Sequence, residues 1–433
     1  MHFLLLSACQ SPGSPPLPVD TTAWVDATYG SIVHVAWAQA RVATTWVEYR
    51  VGDEPWRSTP PVARAPGHAE QLLLGVPYDV EVTWRVVQDL GGGPVSDGEA
   101  VVRTDALPEG IPEPVFVEGD PDRWDPAAPF LFLSLSNLVV DRQTWALVID
   151  REGRVVWAEA SPQGATSLHP RVSIDGRDLL VDRNSFWGML DGGGASQVLR
   201  MKIDGTVLAT YETPGLHHPF VDLPDGSLVW TALAQGIETV QRVALDGATE
   251  ELWDCHSLLD PLGIAEECLS NTLWWDVATN HLYDSLCTLN TIVEIDLTTG
   301  TAARWFGALP GSWAFDPPES QFWWQHGGHL TEAGTLLTST KDREDGDETV
   351  VREYRLDEAS QTLVEVWTAA EGVYGDIYGE AHRLDNGNTL ENYGSATRIQ
   401  EITPEGEVVW DIDWDCELLG RSTPIADLYA FLP

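Results

Sequence analysis

The sequence predicts an all-β chain in which a small β-sandwich precedes a six-bladed β-propeller, and three observations lead there. A phrase of β-run, acidic turn, β-run and aromatic recurs six times. A second set of turns falls between its copies. No long segment carries a helical period. The phrase reads VIDREGRVVW, MKIDGTVLATY, VALDGATEELW, EIDLTTGTAARW, YRLDEASQTLVEVW and EITPEGEVVW. Its turn acids, Asp150, Asp204, Asp246, Asp296, Asp357 and Glu405, lie roughly 50 residues apart, close to the length of a four-stranded blade. SIDGRDLLV, LPDGSLVW, ATNHLYDSL, EAGTLLTS and LDNGNTLENY supply the second turns. Five units are therefore complete. The sixth begins with FLFLSLS and LVIDREGRVVW, and STPIADLYAF at the far end is expected to supply its missing strand, closing the ring and removing the sheet edges.

At 433 residues, 43% apolar and with 20 Trp, the chain has ample material for a core. The net charge of -43, from 67 acidic against 24 basic residues, repels polyanions. It therefore argues against nucleic acid as a partner and against an anionic membrane surface.

Taken in order, residues 1–9 read MHFLLLSAC. Leu6-Ser7-Ala8-Cys9 resembles the lipobox of bacterial lipoproteins, whose Cys becomes the lipidated first residue. Residues 10–19 follow as a Pro-rich tether. The expectation is an exported protein, in the periplasm or at the cell surface, in contact with membrane only through a lipid anchor on Cys9. Cys255, Cys268, Cys287 and Cys416 then remain for an oxidising compartment, and Cys255 with Cys268, flanking one loop, is the expected disulfide.

Residues 20–106 read as the sandwich. Val33, Val35 and Trp37 alternate, TTWVEYR forms a second run, and LLLGVPYDVEVTWRVV a turn with a long strand. Trp37 and the Leu-Gly-x-x-Tyr arrangement ending at Tyr78 resemble a fibronectin type III domain. DALPEGIPEP is the linker to a propeller over residues 110–433.

Six of the eleven His precede the second turns: His169, His217, His218, His326, His329 and His382. His326 stands eight residues before Gly334 and His218 eight before Gly226, so both occupy one phase of the repeat. The innermost strand of each blade starts near the axis, and equivalent positions face one another across it. Asn271 and Glu380 share that phase.

These strand starts, the pair Gln325-His326, and RLDNGNTLENYG followed by RIQEITPEGEVVW resemble the bacterial arylsulfate sulfotransferases over about residues 110 to 433. The resemblance implies transfer of a sulfuryl group from an aryl sulfate to a phenolic acceptor through a sulfohistidine, with neither metal nor cofactor. It places the nucleophile on His326 and a partner on His218 or His217, with Asn271 holding a sulfuryl oxygen. This chain departs from the pattern in the middle blade, where Leu269 stands for a His and Cys287 for an Arg. Arg183 and Lys341 are the residues able to replace the lost charge. His169, His329, His382 and Trp324 complete the expected substrate-binding set, and Trp187, Trp313, Phe322, Trp323, Tyr374 and Tyr378 are available for an aromatic mouth. The sequence has no metal-ligand spacing and no phosphate-binding loop. A ligand-binding or scaffolding propeller of the same ancestry, and a hydrolase releasing sulfate, are the other two readings.

Overall fold

A computed structural model describes residues 18–137, 143–184, 195–234 and 237–433, with the side chains of residues 19, 137, 217, 234 and 237 excepted. The chain divides into two compact units, Met1–Leu107 and Pro108–Pro433.

In the first unit, Val19–Val25, Val33–Gln39 and Gly67–Leu73 form one antiparallel sheet; the other is built on Ala43–Val51 and Glu81–Asp89. Strict alternation buries every second residue of Val33–Gln39. Val33, Val35 and Trp37 from one sheet meet Val47, Tyr49, Trp84 and Val86 from the other, which makes this a β-sandwich. Tyr78 is buried at a chain corner, and burial pushes its phenol above the ordinary value, opposed by a hydrogen bond with Ser31.

The second unit is a six-bladed propeller. Blades 2 to 6 each run outward in chain order from an inner strand: Arg171–Val172, Leu216–Asp222, Ser270–Asp276, Trp323–Leu330 and Glu380–Arg383. Blade 1 is composite. Its three outer strands, Phe130–Asn137, Gln143–Asp150 and Val155–Ala160, come from the start of the unit, and its inner strand, Leu418–Ile425, comes from the end of the chain. The closing strand begins earlier than the expected STPIADLYAF, whose last residues instead form a short 3-10 turn, Leu428–Phe431. Pro114–Gly119 adds a fifth strand to the outer edge of blade 6.

The recurring acid has a local cause. Asp150, Asp204, Asp246, Asp296 and Asp357 each accept the backbone N–H two residues on, at 2.7 to 3.1 Å, and so hold the turn between third and fourth strands. In the sixth copy Thr403 takes this part, accepting from the Glu407 amide at 3.2 Å. In three copies the Trp that ends the phrase bonds into the next blade: Trp157 Nε1 donates to the Ile203 carbonyl at 2.9 Å, Trp367 to Pro404 at 2.9 Å and Trp410 to Arg151 at 2.7 Å, whereas Trp305 donates to the Pro310 carbonyl, five residues on, at 3.1 Å. Trp157 and Trp410 are wholly buried, and each ring removes enough apolar surface from water to contribute on the order of 4 kcal/mol. In these copies the repeat is a turn lock followed by a blade-to-blade anchor.

Cys255 and Cys268 form the disulfide the sequence predicts. It brackets the short helix His256–Leu262 between blades 3 and 4 and is consistent with an exported protein. Cys287 and Cys416 are free thiols. Among the described residues no helix is long and apolar enough to cross a membrane.

Candidate functional site

The six inner strands meet at an axis crowded with imidazoles. His169 is held by Asp182 on the second strand of blade 2, whose carboxylate accepts the backbone N–H groups of Leu168 and His169, both at 3.0 Å, and the Ser167 hydroxyl at 2.9 Å. The ring of His169 lies 5.3 Å from that of His218 and 5.4 Å from that of Tyr378, and His218 and Tyr378 are also 5.4 Å apart. Three rings from blades 2, 3 and the start of blade 6 therefore form one cluster.

Blade 5 contributes two more imidazoles. His326 is 7% exposed, and its Nδ1 lies 2.9 Å from the Trp324 carbonyl. A carbonyl only accepts, so Nδ1 carries the proton and Nε2 keeps its lone pair. Burial, assisted by the nearby Arg421 charge, pushes its pKa down to about 3. His329 repeats the arrangement: Nδ1 faces the Gly327 carbonyl at 3.2 Å, and burial with His382 beside it brings the pKa to about 4. Both rings are neutral at ordinary pH. His382 donates from Nε2 to the Ser422 carbonyl at 2.8 Å and stands 5.7 Å, ring to ring, from His329.

One guanidinium that the sequence reading missed ties this assembly together. Arg421, on the closing strand, donates to the Asn271 carbonyl at 2.6 Å, to Thr272 Oγ1 at 3.0 Å and to the Gly379 carbonyl, and lies 3.7 Å from Glu380. It bridges blades 1, 4 and 6. Burial pushes Glu380 upward, but Arg421, His382 and the Ser422 amide outweigh it and hold the carboxyl at about 2. The available signal was a lone Arg in an apolar terminal run, LLGRSTPI, that ring closure makes innermost.

The expected residues separate on this geometry. His326, His218, His169, His329 and His382 gather at the axis. Trp324 is adjacent, its ring 6.3 Å from that of His326, and its indole N–H donates to the Asp376 carbonyl at 2.8 Å. Lys341 Nζ lies 5.8 Å from the Trp324 ring and 5.4 Å from that of Tyr374 and pairs with Asp376 at 3.6 Å, which places a cation at an aromatic mouth. Asn271 is at the axis, but its amide is committed to the Gln325 carbonyl at 2.8 Å, so it clasps blade 4 to blade 5. Arg183 does not join the cluster: its guanidinium pairs with Glu159 of blade 1 at 2.6 Å. Trp313 and Phe322 belong to the packed core between blades 4 and 5, not to a mouth. Cys9, Trp187 and the side chain of His217 lie outside the described residues.

The middle-blade departure is closed on itself. Cys287 Sγ donates to the Leu269 carbonyl at 3.4 Å, and burial pushes the thiol up to about 12. Arg421 is near enough to interact with it electrostatically, so positive charge reaches this quarter of the axis from another strand.

Two spaces lie side by side, with Trp274, His329 and His382 in the linings of both. A funnel of about 1650 Å³ is lined by Trp274, Trp275, His329, His382 and Arg383 among others. The smaller space, of about 70 Å³, is an axial throat bounded by His169, Arg171, Trp274, His329, Glu380 and Arg421 among others. Among the described residues no group of three or more His, Cys, Asp or Glu is placed to hold a metal ion.

No protein-family profile and no curated protein sequence matches the chain. Among solved structures it is similar to a catalytically inactive variant of virginiamycin B lyase from Staphylococcus aureus, at 12% identity and a TM-score of 0.41, over 72% of this chain and 99% of that one. It is also similar to a putative 6-phosphogluconolactonase from Bacteroides uniformis, at 14% identity and a TM-score of 0.43, over 88% and 99%.

Proposed function

We propose that this protein transfers a sulfuryl group from an aryl sulfate to a phenolic acceptor through a sulfohistidine on His326. The observation that carries the reading is the state of that ring: buried, neutral, with Nδ1 donating to the Trp324 carbonyl and Nε2 left with its lone pair beside the Arg421 charge. In the first half-reaction Nε2 forms a bond to sulfur while the sulfur–oxygen bond to the aryl group breaks and its electron pair leaves with the phenolate. A second imidazole, His218, enters the cycle protonated, gives the phenolate its proton and is left neutral. In the second half it takes the proton of the acceptor phenol, whose oxygen attacks sulfur and restores His326. Negative charge building on the sulfuryl oxygens is met by Arg421 and Lys341, and Trp324 and Tyr374 face the aryl group.

A ligand-binding propeller is the second reading, favoured by the closure of Cys287 onto Leu269, which occupies the place of two expected active-site groups. The deciding experiment follows p-nitrophenol release from p-nitrophenyl sulfate, with and without a phenol acceptor, beside His326→Ala. Acceptor-dependent release that disappears in His326→Ala supports transfer. Free sulfate without transfer points to hydrolysis, and a folded wild-type protein without turnover on a range of donors supports the binding propeller. The same proposal locates the protein in the periplasm or at the cell surface, lipid-anchored through Cys9. Loss of membrane association in Cys9→Ser tests that part.

A further inference from the structure

The proposed transfer makes no use of the funnel. Along the inner hairpin of blade 5, Trp323 pairs with Lys341 and Leu330 with Leu336, so the aromatic mouth beside Lys341 and the turn that reaches the funnel stand at opposite ends of that hairpin. The funnel lining takes in the turns between first and second strands of blades 2 to 6. Its rim has two unlike halves. On blades 2, 3 and 4 it is apolar: Ile174, Leu208, Leu245 and Val277 are 41% to 68% exposed, a patch of the kind that marks an interaction site. On blades 5 and 6 it is acidic, with Glu332 and Asp385.

These two acids have no structural duty. In blades 2, 3 and 4 the turn acids Asp175, Asp225 and Asp276 each accept the backbone N–H two residues on and so hold their own turns. In blade 5 Thr331 takes that part, accepting from the Thr335 amide at 3.3 Å, and in blade 6 Asn386 accepts from the Asn388 amide at 2.9 Å. Glu332 and Asp385 are thereby released. Both are exposed, and among the described residues their carboxylates have no hydrogen bond and no ion pair.

The other charges of the lining are already engaged. Arg200 is committed to Asp178, Asp222 and Asp175, and Arg383 to Glu353. Asp225 pairs with Arg242. In all, seven carboxylates line the funnel against two guanidinium groups, and neither guanidinium is free. The rings at its floor are electron-rich as well. His329, with Nδ1 donating to the Gly327 carbonyl, offers the lone pair of Nε2, His382 spends its Nε2 proton on the Ser422 carbonyl, and the Trp274 ring lies 5.1 Å from that of His329, able to take a cation on its face.

We propose that the funnel is a docking site for a polypeptide segment that carries Lys or Arg beside apolar side chains, its cations on Glu332 and Asp385 and its apolar side chains on Leu208, Leu245 and Val277. Charge decides the sign of the occupant, because the uncommitted polar groups of the lining accept and do not donate. It also excludes a second copy of this chain, whose net charge of -43 is repelled by the same rim. Size decides for a peptide: the funnel's volume of about 1650 Å³ exceeds the roughly 300–1,000 Å³ that encloses a small molecule.

The test titrates the full chain into short fluorescein-labelled peptides of alternating Lys and Leu, alternating Lys and Ser, and alternating Glu and Leu. The salt is held at about 0.15 M, where loose attraction between charges is screened beyond roughly 8 Å. Fluorescence anisotropy is expected to show saturable one-to-one binding of the Lys-Leu peptide, roughly tenfold weaker binding of the Lys-Ser peptide and none of the Glu-Leu peptide. Glu332→Gln with Asp385→Asn should weaken Lys-Leu binding roughly three- to tenfold, and Leu245→Ser with Val277→Ser roughly tenfold. All four side chains are exposed, so the variants keep the fold, and circular dichroism confirms it. Glu266→Gln with Glu267→Gln removes the same charge outside the funnel and should leave binding unchanged. No saturable binding by wild type, equal binding of either control peptide, or a loss from the Glu266 and Glu267 pair as large as from the rim pair overturns the proposal. The readout does not involve p-nitrophenol release, so failure of the transfer reading and failure of this one are told apart.

Discussion

Arg421 Nη2 donates to the backbone carbonyl of Asn271 at 2.6 Å, joining the last strand of the chain to the middle blade across the propeller axis. Ring closure and site assembly are therefore one event, because the strand that completes blade 1 also delivers the central guanidinium.

Replacing Arg421 by Met is expected to cost roughly 3–5 kcal/mol, because it leaves the Glu380 carboxylate buried without its cation. Denaturant midpoints read this directly, and Arg421→Lys should recover part of it. A change below about 1 kcal/mol would show that the bridge does not hold the ring closed.

Gly327 has a φ of 65°, and a Cβ there would lie 2.5 Å from the Glu380 Cβ and 2.6 Å from its Cα. Gly327→Ala should lose roughly 1–3 kcal/mol from backbone strain alone, with the clash added. Gly334→Ala is the comparison. It has a similar φ of 76° but nothing within 4 Å of the new methyl, so the difference between the two melts isolates the axial contact.

Stability should fall on acidification in two overlapping windows. His326 and His329 titrate near 3 and 4 when folded, below the ordinary 6.5, so the unfolded chain takes up their protons first. Their effect is absent above about pH 6.5 and destabilises as pH drops toward 4 and 3. Glu380, held at about 2, contributes stability that is full above its ordinary value near 4.5 and is lost as pH falls toward 2. Asp284 acts in the opposite sense. Burial raises it to about 7, so its contribution is full below the ordinary 3.8 and is lost as pH rises to 7. Asp284→Asn should therefore gain stability relative to wild type at pH 8 and not at pH 4, and equal shifts at both values would refute the assignment.

Opening the Cys255–Cys268 bond should cost about 3 kcal/mol, the value for a loop of this length, with the sequence separation being 13. The double variant Cys255→Ser, Cys268→Ser and reduced wild type should melt together. In the native state Cys287 should resist thiol reagents, since it is buried and its pKa is near 12. Peptide mapping after mild alkylation checks this.

Local chemistry made much of the fold legible. An Asp that locks a turn and a strand of alternating burial each act within about a dozen residues, and the aromatic that ends the phrase recurs with them, so the recurrence announced six blades. The Cys255–Cys268 pairing was readable for the same reason, its ends being close along the chain. The histidines were readable as a phase of the repeat, but phase alone did not say which side chains converge. His326 and His329 are three apart, a spacing that sends side chains to opposite faces of a regular strand. The register shifts on both sides of His326, with the left-handed Gly327 between the two rings, bring both to the axis.

What the sequence by itself determined was therefore the periodic part: the blade count, the sandwich before it, the disulfide and the ring of imidazoles. Only the tertiary structure decided the partners. It turned Asn271 into a clasp for the Gln325 carbonyl, gave Arg183 to Glu159, and brought Arg421 to the centre from the end of the chain. The physical reason is range. Turn locks and strand alternation are settled between near neighbours, whereas a buried charge takes its partners from whichever strands the closed ring sets beside it, here residues about 150 positions apart in the sequence.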